Sequence, residues 1–488
     1  MISRLSHSGR HGIKGGLYSS SMPRFLLLLS IVAAAQTPCD KLRAPSITTV
    51  ESLPTHCRVA MTLTPTADSV IKTEVWLPVR WNGKFLGVGG GGFVGTINRA
   101  GMGAAIREGY ATASTDTGHE GGGTGFAVGH PEKVIDFAYR AVHEMTVAAK
   151  AIITTHYGRA PRLSYWQGCS TGGRQGLMEA LRYPEDYDGI IAGAPANNQI
   201  ELCGWRMDIM VAALKDPARV LPSAKTALLK DAVIAACDAL DGVVDGLLDD
   251  PRKCSYDPSA LLCQGGATDG CLTVGELATV TMAYSDARKK NGELIYPGLV
   301  RGGERGWLLP GTSKEPGSID LGMFRDVSRQ NPSWDWRTFD LETDVAMAQQ
   351  KAGFIEAKDT NFAKFKARGG KLLIYHGWSD GGSGGAISPL NSIAYYSKIT
   401  PAGTDWARLF MIPGMAHCSG GSGPNQFNAL AAMERWREDG IAPESILAAR
   451  VVNGQIDMTR PLCPYPKVAV YRGSGSIHDA ANFECRLK

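Results

Sequence analysis

One stretch of the chain, residues 164–196, constrains the fold more than any other, because it reads as strand, sharp turn, helix and second strand. Ser170 lies at the apex of the turn, within Gly168-Cys169-Ser170-Thr171-Gly172. A serine presented on a strained turn brings the flanking backbone close together, and side chains on both sides of it would collide. The two glycines therefore have a steric role, and the pattern predicts a serine held at the entrance of a helix.

A G-x-S-x-G turn between a strand and a helix is typical of the nucleophile elbow of an α/β-hydrolase. The bare pattern is weak, since glycine supplies 59 of the 488 residues and chance matches are expected. The alternative is a glycine-rich turn with an uninvolved serine. The strand before the turn and the helix after it favour the elbow. In that interpretation the N–H of Thr171 points toward charge that develops near Ser170.

A run of four glycines, residues 89–92, directly follows a buried strand that ends at Val88. Such a run leaves backbone N–H groups free to face a ligand. In α/β-hydrolases this loop supplies the second donor of the oxyanion hole, and we assign that role to Gly91 and Gly92. A flexible turn is the alternative, because glycine runs are common in turns.

The alternation of strands and helices predicts a mostly parallel sheet with helices on both faces. The alternation stops after residue 198 and resumes at the apolar strand 371–375. The simplest arrangement is an α/β-hydrolase with a large inserted lid domain. We predict an N-terminal extension and secretory signal over 1–35, a first part of the core over 36–198, the lid over 199–364 and a second part of the core over 365–488.

The two partners of a serine nucleophile follow strands of the second core part. Asp380 comes after the strand 371–375, and His417 comes after the strand 407–412, which gives the order Ser, Asp, His expected for this fold. Asp405 and His376 are the alternative acid and base. Asp405 precedes its strand, at the wrong end of a parallel sheet, and His376 precedes Asp380, which gives the wrong chain order.

The N-terminus carries an export signal. The apolar run 25–35 follows Arg24 and ends in small residues, which is the pattern of a secretory signal and is too short to span a bilayer. Met22 is an alternative start to Met1. Because no other segment approaches 18 apolar residues, we expect a secreted protein, extracellular or periplasmic, that has no membrane partner after signal removal. A net charge of +4 without a Lys/Arg run excludes a nucleic-acid partner.

The cysteine pattern agrees with export. The chain has eleven cysteines and no C-x-x-C pair, which argues against zinc ribbons and thioredoxin chemistry. In an oxidising compartment they form up to five bridges and leave one thiol over. The spacing alone does not define which cysteines pair.

Four motifs together resemble the tannase and feruloyl esterase family, which includes esterases that cleave mono-hydroxyethyl terephthalate. They are Gly109–His119 (GYATASTDTGH), Gly168–Gly176 (GCSTGGRQG), Tyr375–Asp380 (YHGWSD) and His417-Cys418. The resemblance covers nearly the whole mature chain. It implies a serine carboxylic-ester hydrolase with Ser170 as nucleophile, His417 as base and Asp380 as the orienting acid. One departure is the glycine-rich segment Gly381–Pro389, where the family commonly has a shorter one.

The resemblance also implies a bridge between the cysteine beside the serine and the cysteine beside the histidine, here Cys169 and Cys418; the alternative is that each pairs elsewhere. Pairing the remaining cysteines with their neighbours in sequence leaves Cys203 as the spare thiol. We therefore expect the further bridges Cys39–Cys57, Cys237–Cys254, Cys263–Cys271 and Cys463–Cys485.

A calcium loop of the lid is a further feature that the resemblance implies. Asp238, Asp241 and Asp245 would supply carboxylates, and Val243 and Leu247 would supply backbone carbonyls. Closely spaced oxygen ligands and glycines that let a loop curl suit a hard cation such as calcium. The spacing is not that of an EF-hand, and a solvated acidic turn is the alternative. The expected cofactor is thus structural calcium.

The resemblance implies a small aromatic ester as substrate, free or attached to plant polysaccharide or tannin. A feruloyl (hydroxycinnamoyl) ester is the first expectation, and a galloyl ester, as cleaved by tannase, or a terephthalate monoester is the second. From another functional class, the alternative is a non-catalytic, calcium-stabilised binding protein on a hydrolase scaffold. Such proteins usually lose a member of the catalytic triad, and here all three residues are present.

Overall fold

A computed structural model describes residues 36–307, 314–381, 386–401 and 403–487. The predicted secretory signal over 1–35 lies outside the described residues, as do residues 382–385 of the glycine-rich segment after Asp380. The strands are, in chain order, β1 Ile47–Ser52, β2 His56–Leu63, β3 Ile71–Pro78, β4 Lys84–Val88, β5 Ala111–Thr115, β6 Leu163–Cys169, β7 Gly189–Gly193, β8 Ala287–Arg288, β9 Leu294–Tyr296, β10 Lys371–Gly377, β11 Ala407–Ile412, β12 Gln426–Phe427, β13 Ile446–Val452, β14 Gln455–Leu462, β15 Val468–Tyr471 and β16 Phe483–Arg486.

The α-helices are distributed between these strands, and two short π-helical segments, Asp136–Arg140 and Met323–Ser328, continue helices of the chain. The α-helices are, in chain order, α1 Arg99–Arg107, α2 Pro131–Ile135, α3 Ala141–Tyr157, α4 Thr171–Arg182, α5 Gln199–Lys215, α6 Ser223–Cys237, α7 Val274–Tyr284, α8 Ser318–Gly322, α9 Leu341–Ala352, α10 Ala363–Ala367, α11 Pro389–Ile399 and α12 Ala429–Asp439.

Nine strands form one sheet in the order β1-β2-β3-β5-β4-β6-β7-β10-β11. The six strands from β5 to β11 run parallel to one another, whereas β1, β2 and β3 form an antiparallel extension joined to β5. Parallel strands are covered on both faces and therefore have nearly continuous apolar sequences, as in β7 and β10, whose residues are almost all buried. The predicted α/β-hydrolase architecture is confirmed.

Both faces of the sheet carry helices, and neighbouring residues of one strand serve opposite faces. On β7, Ile190 belongs to a buried cluster that includes residues of α3 and α4, while Ile191 belongs to another cluster that includes residues of α1 and α12. The period of two in a strand sends successive side chains to opposite faces. The sheet is thereby sandwiched between two helical layers, and the carboxyl ends of its parallel strands meet along one edge.

The chain between Gly193 and Lys371 adds no strand to the nine-stranded sheet within the residues that the structure describes. It contains α5–α10, a two-stranded β8–β9 sheet and most of an apolar cluster that includes Trp205, Tyr296 and Phe324 and extends to Phe93 and Phe137 of the first core part. This insertion is the region in which the sequence predicts a lid; the boundaries at residues 199 and 364 stay a prediction.

The C-terminal part holds two features that the sequence pattern did not reveal. The strands β12, β13 and β14 form a small antiparallel sheet, and β15 pairs with β16. The helix after His417 begins at Ala429, because Asn428 caps it by accepting the N–H of Ala431. No helix in the described ranges is both long enough and apolar enough to cross a membrane.

The structure forms five disulfides, and they join the same pairs as the sequence prediction. Cys203 remains a buried free thiol. Four of the bridges close short loops of 8 to 22 residues, whereas the bridge between Cys169 and Cys418 spans 249 positions. This long-range bridge ties two strand ends of the sheet together.

Candidate active site

Ser170 occupies a strained turn between β6 and α4. Its backbone is in the left-handed region, with φ +63° and ψ −122°, a conformation that costs free energy for a residue with a side chain. A Cβ atom on Gly168 would lie 2.5 Å from the carbonyl oxygen of Gly172, and a Cβ atom on Gly172 would lie 2.8 Å from the carbonyl oxygen of Gly90. The two glycines are therefore required for the turn to close.

The backbone of Ser170 is held from the neighbouring strand. Its N–H donates to the carbonyl oxygen of Gly193 at 2.9 Å, and its own carbonyl accepts the N–H of Ala196 at 3.1 Å. Gly193 at the end of β7 and Ala196 just after it thus hold the turn in its strained conformation. Since Thr171 is the first residue of α4, its N–H has no acceptor within the helix and belongs to the positive end of the helix dipole.

The glycine run after β4 lies against the elbow. Thr171 Oγ1 donates to the carbonyl of Gly92 at 3.0 Å, and the N–H of Gly90 donates to Gln175 Oε1 at 3.1 Å. Gly91 and Gly92 line the same cleft as Ser170. The three residues predicted for the oxyanion hole, Thr171, Gly91 and Gly92, are therefore brought together beside the serine.

Two further residues hold this loop, and the sequence pattern indicated no role for either. Asn98 Nδ2 donates to the carbonyl of Gly89 at 3.0 Å, and His119 Nε2 donates to the carbonyl of Phe93 at 2.7 Å. His119 also stacks on Phe126 with ring centroids 3.8 Å apart. Burial lowers the pKa of His119, which keeps the ring neutral. In the sequence, the position of His119 at the end of the Gly109–His119 motif was the feature that could have indicated this role.

Asp380 and His417 come together where β10 and β11 end. His417 Nδ1 donates to Asp380 Oδ2 across 2.7 Å, which leaves Nε2 of the same ring available on the other side. Asp380 is 2% exposed. Burial alone would raise the pKa of Asp380, but the adjacent rings of His417 and His376 outweigh it and hold that pKa below its usual range.

His376 is the second contact of Asp380 and not an alternative base. Its Nε2 lies 3.1 Å from Asp380 Oδ2 and its Nδ1 lies 2.8 Å from Ser392 Oγ, while the ring has no exposed surface. A ring that is fully enclosed cannot reach a substrate. Asp405 precedes β11, at the opposite end of that strand from His417.

The disulfide between Cys169 and Cys418 joins the elbow to the segment that carries His417. Its two Cα atoms are 5.9 Å apart, and each cysteine is adjacent in sequence to Ser170 or His417. A bridge of this kind fixes two backbone segments within a narrow range of distances. The disulfide therefore holds the backbone segments that carry Ser170 and His417 next to each other.

A cleft of about 1160 Å³ opens at Ser170 and His417. Such a volume is ample for a drug-sized ligand. Its walls combine apolar side chains with polar groups, and Ile319 contributes to it from the insertion. The lining side chains include Val88, Val94, Ile97, Arg99, Glu108, Tyr375, Phe427 and Leu430.

The predicted calcium loop curls as the glycine spacing suggested, with Gly242 at φ +91° and Gly246 at φ +78°. The carboxylate of Asp238 accepts the N–H groups of Asp245 and Gly246, and Asp245 Oδ2 lies 2.5 Å from Arg460 Nη2. No choice of one carboxylate oxygen from each of Asp238, Asp241 and Asp245 brings all three oxygens within 4.8 Å of one another. The donors are of the class that calcium prefers, but a cation would have to draw them together.

Comparison with known proteins gives matches over most of the chain. Residues 57–486 match the family described as tannase and feruloyl esterase. An uncharacterized esterase of Xanthomonas campestris is 36% identical over 93% of this chain and 88% of its own length, and a probable feruloyl esterase B-2 of Neosartorya fischeri is 34% identical over 88% and 86%.

Solved structures show the same similarity. Feruloyl esterase B from Aspergillus oryzae superposes with a TM-score of 0.85 at 30% identity, covering 92% of this chain and 98% of that one. Tannin acyl hydrolase from Aspergillus niger superposes with a TM-score of 0.73 at 21% identity, covering 91% of both chains. The second likeness concerns the fold alone.

Proposed function

The chain belongs to the tannase and feruloyl esterase family of carboxylic ester hydrolases, and from that premise we propose that it is a secreted serine esterase acting on feruloyl (hydroxycinnamoyl) esters. The observation that carries the proposal is the link from Asp380 to His417 at 2.7 Å, together with the bridge that joins His417's neighbour to Ser170's neighbour. The relatives named feruloyl esterase favour this acyl group over the galloyl ester.

The proposed mechanism is acyl transfer through Ser170. His417 Nε2 takes the proton of the Ser170 hydroxyl as its oxygen attacks the ester carbonyl, and then returns that proton to the leaving alcohol. Asp380 accepts the Nδ1–H of His417 and stabilises the imidazolium that forms. Water then repeats the sequence on the acyl-enzyme and releases the aromatic acid.

The developing oxyanion would be stabilised by the N–H groups of Thr171 and of the Gly91–Gly92 segment. Each donor of this kind contributes on the order of 3 kcal/mol to the transition state. The hydrogen bonds of Gln175 and His119 to the same loop support this role, because donors that are already fixed need no reorganisation during the reaction.

The apolar cleft supports an aromatic acyl group. Val88, Val94 and Leu430 offer apolar surface, while Arg99 and Glu108 supply polar groups to the same cleft. An aromatic acid attached to a larger alcohol, such as a plant polysaccharide or a tannin, would find room for both parts in about 1160 Å³.

Calcium in the insertion and export of the chain belong to the same proposal. Asp238, Asp241 and Asp245, with the carbonyls of Val243 and Leu247, would hold the ion, whose role is to neutralise the loop's carboxylates. The curled glycines support this site. Five disulfides support an oxidising compartment outside the cytoplasm.

The test compares hydrolysis of methyl ferulate, methyl gallate and mono-hydroxyethyl terephthalate by the purified mature chain and by Ser170→Ala. We expect the highest kcat/KM with methyl ferulate, loss of turnover in Ser170→Ala, and fluorophosphonate labelling of the unaltered chain at Ser170 alone. A higher kcat/KM with methyl gallate would reassign the acyl group. Absence of labelling and turnover would mean a non-catalytic binding protein.

A further inference from the structure

Three side chains from different parts of the hydrolase core meet at the end of α4 that is farther from Ser170. His143 comes from α3, Glu179 from the last turn of α4, and Asp186 from the turn that leads into β7. One potential ligand atom from each lies within 4.8 Å of the other two. Throughout the part of the chain that the structure describes, this is the only group of three His, Cys, Asp or Glu residues that meets this criterion.

Glu179 is the unusual member of the group. Its side chain is 1% exposed, and neither carboxylate oxygen receives a hydrogen bond. Burying an ionised carboxylate without a donor or a cation is unfavourable. Burial raises the pKa of Glu179 well above its usual range, and the negative charge of Asp186 adds to that rise. Glu179 therefore faces the carboxyl group of Asp186, with which it can share a proton, at the point where His143 also converges.

His143 and Lys150 both lie against Asp186. His143 Nδ1 donates to Asp186 Oδ2 at 2.6 Å, and Lys150 Nζ is 4.0 Å from Asp186 Oδ1. The ring of His143 stacks on Tyr183 with centroids 3.7 Å apart, which orients its Nδ1 toward the two carboxylates. A metal ion at this point would take the place of the proton that His143 Nδ1 donates to Asp186.

We propose that His143, Glu179 and Asp186 form a binding site for a divalent transition-metal ion, with Zn²⁺ as the preferred occupant. One imidazole nitrogen and two carboxylate oxygens are a common ligand set for zinc, and a water molecule completes the tetrahedron. The imidazole disfavours calcium and magnesium, which prefer oxygen ligands throughout. This site is separate from the calcium loop of the insertion.

Metal binding requires a small local movement. Ligand atoms on a tetrahedral zinc ion with bonds of about 2.0–2.1 Å lie about 3.3 Å apart, whereas His143 Nδ1 and Asp186 Oδ2 are 2.6 Å apart. The side chain of His143 is 24% exposed and lies at the open side of the group, so the ring can retreat. Glu179 is enclosed and supplies the fixed ligand.

The position of the site indicates a structural role. The ion would join α3, α4 and the turn before β7, and α4 is the helix that begins directly after Ser170. It would therefore brace the helix from the end opposite the elbow. His143, Glu179 and Asp186 do not line the cleft, so the ion would not contact the substrate.

The first experiment measures metal binding by the mature protein after removal of metals with a chelator and dialysis. We expect one equivalent of Zn²⁺ to bind and to raise the melting temperature, as measured by elemental analysis and thermal unfolding. Co²⁺ in place of Zn²⁺ should give the visible absorption of a four- or five-coordinate ion, which the oxygen ligands of the calcium loop would not produce.

Variants then assign the site. Glu179→Gln and His143→Ala should each weaken Zn²⁺ binding by on the order of 100-fold or more, since even indirect supports of a metal site account for about 10–100-fold. Glu144→Gln is the matched control, because it removes a neighbouring negative charge from α3 without removing a ligand. It should bind Zn²⁺ as the unaltered chain does.

Two results would overturn the proposal. One is failure of the unaltered, folded chain to bind Zn²⁺ or Co²⁺, a measurement that needs no variant. The other is Zn²⁺ binding that survives both Glu179→Gln and His143→Ala. In the first case, a higher melting temperature of Glu179→Gln without any metal effect would identify Glu179 and Asp186 as a pair of acids that share one proton.

Discussion

The sheet places Ser170 directly after β6, and Asp380 and His417 in the loops that follow β10 and β11, whereas the insertion between β7 and β10 is built from helices, turns and the small β8–β9 sheet. In the sheet, parallel hydrogen bonding sets the positions of those strand ends. In the insertion, two disulfides and buried ion pairs such as Arg206 with Asp320 join segments that share no sheet. Changes in the first region should therefore act mainly on the reaction rate, and changes in the second mainly on stability.

The largest effect is expected in the sheet region, for His417→Ala. In the proposed mechanism no other group accepts the proton of Ser170, and general acid–base catalysis of this kind contributes up to about 10⁴-fold. We expect kcat for methyl ferulate to fall by on the order of 10⁴-fold while the melting temperature stays nearly constant. His478→Ala, in the exposed C-terminal tail, is the control and should keep full activity. A loss of less than tenfold in His417→Ala would remove His417 from the proposed proton transfer.

Calcium removal should lower the stability of the insertion and leave kcat for methyl ferulate nearly unchanged. A ligand present at about 1,000 times its Kd stabilises the folded state by about 4 kcal/mol, so chelation should lower the melting temperature and added calcium should restore it. Asp241→Asn should abolish this response.

Asp231→Asn is the control for the calcium experiment, since Asp231 forms an exposed pair with Arg305 outside the loop. It should retain the calcium response. Equal melting temperatures with and without chelator, in protein that elemental analysis shows to be free of calcium, would mean that the loop is an acidic turn held by its backbone N–H groups and Arg460 without an ion.

The bridge between Cys169 and Cys418 tests whether the two strand ends need a covalent link. Misplacing reacting groups by about 1 Å costs on the order of 100-fold in rate, so Cys169→Ala with Cys418→Ala should lower kcat by about that factor. The matched control is Cys463→Ala with Cys485→Ala, which removes a bridge of the C-terminal strands. That control should lose about 3 kcal/mol of stability and keep its kcat. Equal kcat values in the two double variants would assign the first bridge a purely structural role.

The same contrast explains how much the sequence could predict. Strand–turn–helix patterns are local, so the elbow at Ser170 and the strands before Asp380 and His417 were recognisable from residue types alone. Their meeting at one edge then follows from the parallel sheet. The contacts of His376 with Asp380 and of His119 with Phe93 could not be derived, because each joins residues whose proximity depends on side-chain packing.

The insertion was less predictable for a related reason. Its helices alternate with irregular segments, and its buried charges find partners far away in sequence, as Arg206 does with Asp320 and Arg460 with Asp245. No periodicity encodes such pairs. The site at Glu179 was missed in the sheet region as well, since a glutamate in the last turn of an amphipathic helix is usually exposed.

The smallest effects are expected when one of two buried carboxylates, one in each region, is replaced. The two replacements should change the free energy of unfolding with different dependence on pH. Asp116 follows β5 and accepts the N–H groups of Lys72 and Gly118, both at 2.9 Å, but burial raises its pKa to about 6. In the insertion, Asp326 is equally buried, but Arg325 and Thr124 outweigh the effect of burial and hold its pKa below the usual range.

The sign of each effect follows from proton linkage. Because the pKa of Asp116 is higher in the folded state than in the unfolded chain, the native protein loses stability as pH rises from about 4 to about 6. Asp116→Asn removes that loss, so its free energy of unfolding relative to the unaltered chain should rise by about 2 kcal/mol across this window.

Asp326 contributes stability above its unfolded pKa, so Asp326→Asn should be destabilised by a constant amount above pH 5, with the deficit shrinking only below about pH 4. Urea unfolding of both variants at pH values between 4 and 8 measures the two profiles. A flat profile for Asp116→Asn would show that Asp116 is ionised throughout, with its two backbone donors sufficient to offset burial, and the contrast between the regions would not extend to their buried acids.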